Sequence, residues 1–127
     1  MEKSAVQWMV EPLRKYAAFN GRARRSEYWW FQLFISLISL MLLLAHAATV
    51  GFASAMSAPT GPGNIFTLAI LVPVIAVSVR RLHDIDRSGW WLLLLLVPVI
   101  GAIVLLFWHC QHGTVGENRY GMDPIAR

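Results

Sequence analysis

Residues 28–79 read YWWFQLFISLISLMLLLAHAATVGFASAMSAPTGPGNIFTLAILVPVIAVSV and contain no Asp, Glu, Lys or Arg. A second uncharged stretch covers residues 88–116 and reads SGWWLLLLLVPVIGAIVLLFWHCQHGTVG. The whole chain has only 127 residues, of which 57% are hydrophobic and 14% are charged. Soluble domains carry about 25% charged residues, and a domain this small has too little interior to hide both stretches from water. The sequence therefore predicts an all-α integral membrane protein.

The uncharged stretches divide into three predicted membrane segments, at residues 29–50, 64–80 and 89–109. The first gives about 33 Å of helix at 1.5 Å per residue, which is enough to cross the hydrocarbon core. The second is short, so it needs additional residues from 62–64, a thinner bilayer, or arginines at its end that reach the headgroups. We predict three transmembrane helices in a single membrane domain over residues 1–127.

Two prolines lie inside the predicted membrane helices. Pro73 should kink the second helix. In the third, which Ser88 is expected to cap, Pro98 and Gly101 permit either a kinked span or two half-helices in a re-entrant hairpin. The two alternatives differ in their consequence for the polar tail, residues 110–127. Residues 80–88 (RRLHDIDRS) are predicted to form a charged loop before this segment. A simple span puts the tail on the opposite side of the membrane from this loop, whereas a hairpin puts both on the same side.

Residues 1–27 are predicted to form an interfacial amphipathic helix followed by a basic segment. A helical pattern extends over residues 3–19, with Trp8 outside its apolar stripe and Pro12 expected to bend or interrupt it. The stripe contains Val6, Met9, Val10, Leu13, Tyr16 and Ala17. Such a helix lies in the membrane interface with its apolar face toward lipid, although the same pattern fits a helix packed on the protein itself. Ser26 is the expected N-cap of the first membrane helix.

The distribution of charge predicts the orientation in the membrane. Residues 51–64 form a Gly-, Ser- and Pro-rich loop without Lys or Arg, whereas both are frequent before residue 28. Because positively charged segments stay in the cytoplasm, we predict a multi-pass protein with a cytoplasmic N-terminus. The tripeptide at residues 53–55 fits a signal-peptidase site, but the apolar stretch before it is too long for a signal sequence. We therefore expect an uncleaved anchor.

Three sequence blocks are distinctive in combination. They are FNGRARRSEYWWF at residues 19–31, RRLHDIDRSGWW at residues 80–91 and GTVGENRYGMDP at residues 113–124. In this order, separated by apolar segments, they resemble the domain of unknown function 805 family (DUF805), the YhaH-type small bacterial inner-membrane proteins. The resemblance covers nearly the whole chain and implies a helical protein of the bacterial inner membrane. It implies no activity and supplies no catalytic residues, because the family has none assigned.

The first two blocks carry complementary charges on the same side of the membrane if the first two segments cross it. Glu27 can pair with Arg80 or Arg81. Asp84 or Asp86 can pair with Arg22, Arg24 or Arg25. One interpretation is a clasp of ion pairs that holds the helix ends, and another is a site for lipid headgroups or polyanions, because Arg suits phosphate. The candidate lipid- or partner-binding residues are Arg22, Arg24, Arg25, Glu27, Arg80, Arg81, His83, Asp84, Asp86, Arg87, Asn118, Arg119, Tyr120 and Asp123.

Catalytic and metal-binding interpretations have less support. His83 lies near two carboxylates in the sequence, but without a nucleophile or a recognisable pocket this pattern does not indicate an active site. His109 and His112 would need His83 to complete a metal site, which requires the tail and the charged loop to share one side. We therefore expect no enzyme activity, no cofactor and no metal.

The predicted function is that of a small inner-membrane protein without catalytic activity that interacts or assembles through a charged cytoplasmic face. Its expected partners are the lipid bilayer, in particular anionic headgroups, and either further copies of itself or another membrane protein. The net charge of +4 is carried by residues that flank apolar segments, so we expect no binding of nucleic acid. A small transporter or lipid-handling protein is the alternative, with prolines that allow the helices to move.

Overall fold

The computed structural model describes residues 3–58 and 61–125, which are helical apart from turns, loops and one isolated bridge. The helices are α1 (Ala5–Arg14), α2 (Arg25–Val50), α3 (Phe52–Ser57), α4 (Pro62–Asp84), a 3-10 helix (Gly89–Leu96) and α5 (Ile100–Cys110). The all-α prediction is confirmed for these residues. The parts of the predicted N-terminal segment, loop and tail at residues 1–2, 59–60 and 126–127 lie outside the described residues.

Helices α2 and α4 are both long and apolar enough to cross a membrane. At 1.5 Å per residue, their 26 and 23 residues give about 39 and about 34 Å of helix. The two helices run antiparallel, because Glu27 near the start of α2 contacts Arg80 near the end of α4, while His46 lies beside Gly61 at the other end. Their contact includes a small buried cluster of Ala23, Phe31, Ile35 and Val77.

Helix α4 extends beyond the predicted second segment at both ends. It starts at Pro62, whose fixed φ and missing N–H suit the first helical turn. It continues to Asp84, so the prediction of a charged loop from residue 80 was wrong, and only residues 85–88 connect it to the 3-10 helix. The sequence was misread because Arg80 and Arg81 suggested contact with water or headgroups. Both are in fact buried against carboxylates, which lets the helix continue through them.

Helix α1 is shorter than the predicted helix over residues 3–19. It begins after Ser4, which forms a capping box with Gln7. It ends at Arg14, two residues beyond Pro12, which removes a backbone donor from the last turn. Pro12 therefore lies within the helix, and the chain leaves the helical conformation soon after it.

The face of α1 that packs on the protein is not the predicted apolar stripe. Its buried residues are Trp8 and Pro12, which face α2 and α4 and lie away from the stripe. Val6 and Leu13 of the stripe keep exposed fractions of 66% and 37%. The helix thus packs on the protein with one face and leaves an apolar face exposed, so the two interpretations of its pattern are compatible.

The start of α2 and the loop after it also differ from the prediction. Arg24, not Ser26, is the N-cap of α2, and its side chain makes no capping hydrogen bond. The helix starts here because the preceding backbone is extended, with the N–H of Ala23 donating to the carbonyl oxygen of Arg80 at 3.0 Å. The predicted loop at residues 51–64 contains the short helix α3 and the first turn of α4.

The third apolar segment does not form one continuous helix. The 3-10 helix is capped by Ser88 and ends at Leu96, and α5 starts at Ile100 after a break that contains Pro98. With a rise of about 2.0 Å per residue in the first limb and about 1.5 Å in the second, each limb is about 16 Å long. That is about half the thickness of the hydrocarbon core. Of the two predicted alternatives, the observed geometry agrees with the broken segment.

The two limbs fold back on each other as a hairpin. At its base the rings of Trp91 and Trp108 meet edge to face at 5.5 Å, and the guanidinium of Arg87 lies 4.1 Å from the Trp108 ring. Near the tip, a β-carbon on Gly101 would lie 1.6 Å from the carbonyl oxygen of Leu94, so only glycine permits this approach. Gly89 packs against Val79, and Arg81 donates to the carbonyl oxygen of His109, so both ends of the hairpin lie beside the end of α4.

Candidate functional site

Three distant parts of the chain meet at one end of the helices: residues 20–27, 80–88 and 111–125. We call this region the polar end. Five charged side chains form its centre and have exposed fractions of 0–4%. We call this group the clasp, and its members are Arg22, Glu27, Arg80, Arg81 and Asp84. The tail therefore contacts the charged residues that follow Val79, as the hairpin alternative predicts.

Asp84 is the centre of the clasp. Its Oδ1 atom lies 2.9 Å from Nη2 of Arg22, and its Oδ2 atom accepts a hydrogen bond from Nη1 of Arg81 at 2.5 Å. The predicted pairing of Asp84 with the arginine-rich block is thus confirmed through Arg22. Gly113 packs against the same carboxylate so closely that a β-carbon there would lie 2.1 Å from Oδ2. This carboxylate therefore pairs with two buried guanidinium groups, and the five charged side chains of the clasp keep a net charge of +1.

A second ion pair joins the start of α2 to the end of α4. Glu27 accepts a hydrogen bond from Nη1 of Arg80 at 2.5 Å, so the predicted pairing of this glutamate is confirmed with Arg80. The Nε and Nη2 atoms of Arg80 have no hydrogen-bond partner among the described residues. Because buried unpaired donors are destabilising, Glu27 is the contact that makes the burial of this arginine tolerable.

Arg22 also holds the tail. Its Nη1 atom donates to the carbonyl oxygen of Gly116 at 2.6 Å, and its Nη2 atom donates to that of Thr114 at 2.5 Å. A longer hydrogen bond of 3.3 Å reaches the carbonyl oxygen of Gly121. The planar guanidinium therefore organises a loop that has no regular secondary structure to satisfy its own backbone.

Arg81 likewise binds backbone carbonyl groups, at the end of α5. Its Nε atom donates to the carbonyl oxygen of His109 at 3.2 Å, and its Nη2 atom donates to that of Gln111. The last carbonyls of a helix have no partner within the helix itself. Arg81 satisfies two of the carbonyls at this helix end while it pairs with Asp84, so the hairpin is fixed to the end of α4.

The third sequence block covers the end of α4. The rings of His83 and Tyr120 stack with centroids 3.8 Å apart and an angle of 3° between their planes. Nδ1 of His83 lies 3.1 Å from the carbonyl oxygen of Gly21, which can only accept, so Nδ1 carries the proton in this contact. Asn118 donates from Nδ2 to the carbonyl oxygen of His83 at 2.9 Å. His83 is thus used in packing, and no described contact joins its ring to a carboxylate.

The remaining acidic residues of the polar end are closer to solvent. Arg119 pairs with Asp86 through Nε at 3.1 Å, and the hydrogen bond to Asp86 and its charge raise the pKa of Arg119. Asp123 accepts hydrogen bonds from the backbone N–H groups of Gly116 and Ile125 and so shapes the turn of the tail. Together with His83 these residues form separate packing contacts, so they do not converge on one open site.

Arg24, Arg25 and Arg87 are the predicted site residues that the clasp leaves unpaired. No carboxylate pairs with any of them in the part of the chain that the structure describes. Arg24 lies over the ring of Trp8 at 4.9 Å, and Nη2 of Arg25 lies 3.1 Å from Nε2 of His112. The arginines of the polar end therefore divide into a group that is paired with carboxylates and a group that remains available to an external anion.

Arg24 and Arg25 line a cavity of about 390 Å³ together with Lys3 and His112. We call this cavity the basic pocket, defined by these four residues. Trp8 also lines it, with an exposed fraction of 7%, and its ring centroid lies 5.0 Å from Nζ of Lys3. Sequence reasoning missed Lys3, Trp8 and His112 as site residues. The available signal was a tryptophan outside the apolar stripe of a basic helix.

The three histidines considered as metal ligands are used separately. His109 has Nδ1 2.5 Å from the carbonyl oxygen of Leu105, while His83 stacks on the tail and His112 lies beside Arg25. No group of three or more His, Cys, Asp or Glu side chains placed to hold a metal occurs within residues 3–58 and 61–125.

Comparison with known proteins gives a consistent result. The family model described as "Protein of unknown function (DUF805)" matches residues 16–122. "Inner membrane protein YhaI" of Escherichia coli K12 is 42% identical over 119 residues, which cover 94% of this chain and 96% of the relative. "Inner membrane protein YhaH" of the same organism is 42% identical over 122 residues, which cover 94% and 97%. "Uncharacterized protein YiiR" is 26% identical over 132 residues, which cover 84% and 85%. No solved structure matches the chain.

Proposed function

The chain belongs to the DUF805 family of membrane proteins without an assigned activity, and we propose that it is a non-enzymatic interaction protein of the bacterial inner membrane. In this proposal the polar end faces the cytoplasm and engages protein or anionic lipid. The clasp has a structural role, because it fixes the ends of α2, α4 and the hairpin relative to one another. The unpaired arginines beside it are the contact residues.

We propose that α2 and α4 cross the membrane and that the third segment enters from the cytoplasmic side and returns. The short limbs of the hairpin and the contact between Trp91 and Trp108 at its base support this topology. The loop at residues 51–64 has no Lys or Arg, and the polar end has many, which supports a cytoplasmic polar end. Two spans and a re-entrant hairpin then replace three simple spans.

One observation carries the functional proposal: Arg24 and Arg25 have no described carboxylate partner, although four other arginines of the polar end have one. Adjacent unpaired cations at the membrane interface favour an anionic partner. An enzymatic role has less support, because His83 is engaged by Gly21 and Tyr120, and Asp84 by two arginines. Both groups are thus held in packing roles.

The test replaces Arg24 and Arg25 together with Gln and purifies the protein from cell membranes in mild detergent. We expect less bound protein or bound phospholipid per chain than in the wild type, because the unpaired cations are gone. A matched control replaces Arg14 and Lys15 with Gln, since this adjacent pair lies outside the basic pocket. Equal amounts of bound protein and lipid in the wild type and the Arg24/Arg25 variant would contradict the proposal.

The orientation of the tail in the membrane can be measured by labelling a cysteine. Val115 is 71% exposed, so Val115→Cys in a Cys110→Ser background places a single thiol on the tail. We expect a membrane-impermeant reagent to label it only after the inner membrane is opened. Labelling in spheroplasts with an intact membrane would reverse the proposed topology.

The alternative of a lipid-handling protein is favoured by one further feature. An apolar groove of about 620 Å³ runs between α4 and the 3-10 helix, with Val79 and Trp90 among its lining residues. Translocation of labelled phospholipid by the purified protein in proteoliposomes would favour this alternative over a static interaction protein.

A further inference from the structure

We propose that the basic pocket binds the phosphate of an anionic phospholipid whose acyl chain lies in the adjoining groove of α2. The inference rests on the proposed function, since it names the chemical class that the unpaired arginines recognise. It also goes further, because it assigns the headgroup and the acyl chain to two particular surfaces.

The lining of the basic pocket suits a phosphate monoanion. Lys3, Arg24 and Arg25 supply nitrogen donors around a volume of about 390 Å³, and His112, whose Nε2 accepts from Arg25, can donate through Nδ1. Guanidinium groups bind phosphate oxygens through charge-assisted hydrogen bonds. Asp84 also lines the pocket, but its carboxylate is neutralised by Arg22 and Arg81. The net field in the pocket is therefore positive.

The cations of the pocket are held in position before any ligand binds. The buried ring of Trp8 lies about equally close to Lys3 and Arg24, at 5.0 and 4.9 Å. Nη1 of Arg25 donates to the carbonyl oxygen of Cys110 at 3.4 Å, and its Nη2 lies beside His112. Because these contacts involve neutral groups, they orient the cations without neutralising them. Lys3 alone has a carboxylate partner, Glu11, at 3.0 Å.

An apolar groove continues from the pocket along α2, away from the polar end. Arg25, Ser26 and Trp30 line both cavities, and the second one, of about 550 Å³, adds Trp29, Leu33 and Cys110. Trp29, Trp30 and Leu33 have exposed fractions of 38%, 37% and 45%. A cationic site that leads directly into a tryptophan-lined apolar groove matches an amphiphile at the headgroup level. A soluble phosphorylated peptide or a nucleic acid would use the pocket and leave the groove empty.

The experiment titrates the full-length protein in detergent with phosphatidylglycerol and, separately, with phosphatidylcholine, and counts bound lipids by native mass spectrometry. We expect Arg24→Gln with Arg25→Gln to weaken phosphatidylglycerol binding by about tenfold or more, and to leave the weak phosphatidylcholine binding unchanged. The control variant, Arg14→Gln with Lys15→Gln, removes the same charge elsewhere and should change binding less than about twofold. Equal weakening in both variants would show that only the overall charge matters and would overturn the inference.

Cys110 supplies an independent readout for the groove, because it is the single cysteine of the chain and is exposed there. Bound phosphatidylglycerol should slow its reaction with a maleimide several-fold in the wild type, whereas inorganic phosphate at the same occupancy should not. Protection by inorganic phosphate alone, or phosphatidylglycerol binding without protection, would overturn the assignment of the acyl chain.

The outcomes separate this inference from the functional proposal. If the Arg24/Arg25 variant loses a co-purified protein but binds phosphatidylglycerol like the wild type, the lipid site is wrong and the interaction role stands. If it loses neither, both fail. A purely structural effect is excluded by requiring the variant to keep the thermal unfolding midpoint of the wild type.

Discussion

The polar end buries charged side chains, whereas the apolar parts of α2 and α4, which we call the membrane half, expose apolar ones. In the polar end, Arg80 and Arg81 are 2% and 0% exposed, whereas Leu40 of α2 and Leu68 of α4 are 51% and 71% exposed. The membrane half needs no large apolar core, since lipid chains solvate leucine as well as another helix does. The polar end, where the tail and three helix ends must meet outside the hydrocarbon, is held together by ion pairs and hydrogen bonds. An exposed leucine in α2 or α4 is therefore a surface for lipid, whereas a buried arginine in the polar end marks a contact within the protein.

The largest expected effect comes from removing the shared carboxylate of the polar end. Asp84→Asn leaves Arg22 and Arg81 buried without their counter-charge, and loss of one partner from a buried pair costs about 3–5 kcal/mol. We expect a large drop in the thermal unfolding midpoint in detergent. Asp86→Asn is the control, because the pair of Asp86 with Arg119 is largely exposed and should contribute little. Similar unfolding midpoints for the two variants would contradict the proposed structural role of the clasp.

The same truncation made in each region gives the most direct comparison. Leu82 is fully buried near the clasp, so Leu82→Ala should cost about 2–5 kcal/mol through lost contacts and the cavity that remains. Leu68→Ala should cost far less, because detergent or lipid replaces the lost contacts. Thermal unfolding in the same detergent measures both. If Leu68→Ala were as destabilising as Leu82→Ala, the exposed face of α4 would be covered by protein, for example by a second copy of the chain.

A smaller effect is expected at the crossing of the hairpin limbs. Gly101→Ala forces the limbs apart, because its β-carbon would overlap the carbonyl oxygen of Leu94, and overpacking costs about 1–3 kcal/mol. Gly63→Ala is the matched control, since Gly63 has open space around it in the first turns of α4. We expect Gly101→Ala to lower the unfolding midpoint and Gly63→Ala to leave it unchanged or slightly raised. The reverse order would contradict the hairpin.

The sequence predicted the elements that depend on composition over long stretches. The uncharged run of residues 28–79 was enough to predict α2 and the body of α4, because a helix in lipid must be apolar along its length. The sequence also predicted that the charges of the first two blocks would pair, but it left several partners open for each carboxylate, and the structure selects Arg80 for Glu27 and Arg22 for Asp84.

The parts that remained open depend on contacts between distant residues. Pro98 and Gly101 fit a kink and a reversal equally well, and the approach of Gly101 to Leu94 that selects the reversal is invisible in the sequence. The end of α4 was misplaced for the same reason. In the sequence Arg81 looks solvent-facing, because the carbonyl groups that satisfy it lie about thirty residues later, at the end of α5. The sequence did not predict that Trp8 is buried, because helical periodicity identifies the wider apolar face of a helix and gives no information about a single ring outside that face.

The hydrogen bonds from Arg22 to the tail join two parts of the chain that are synthesised at different times. The carbonyl groups of Thr114 and Gly116 follow Arg22 by 92 and 94 residues, and Asp84 follows it by 62. At about 5–20 residues per second, translation delivers the last of these ligands about 5–20 s after Arg22 itself. Asp84 is made before the tail, so Arg22 can pair with this carboxylate first, but its two carbonyl partners in the tail do not yet exist at that stage. The polar end can therefore close only after translation has passed residue 116, and a chain truncated before the tail lacks these contacts.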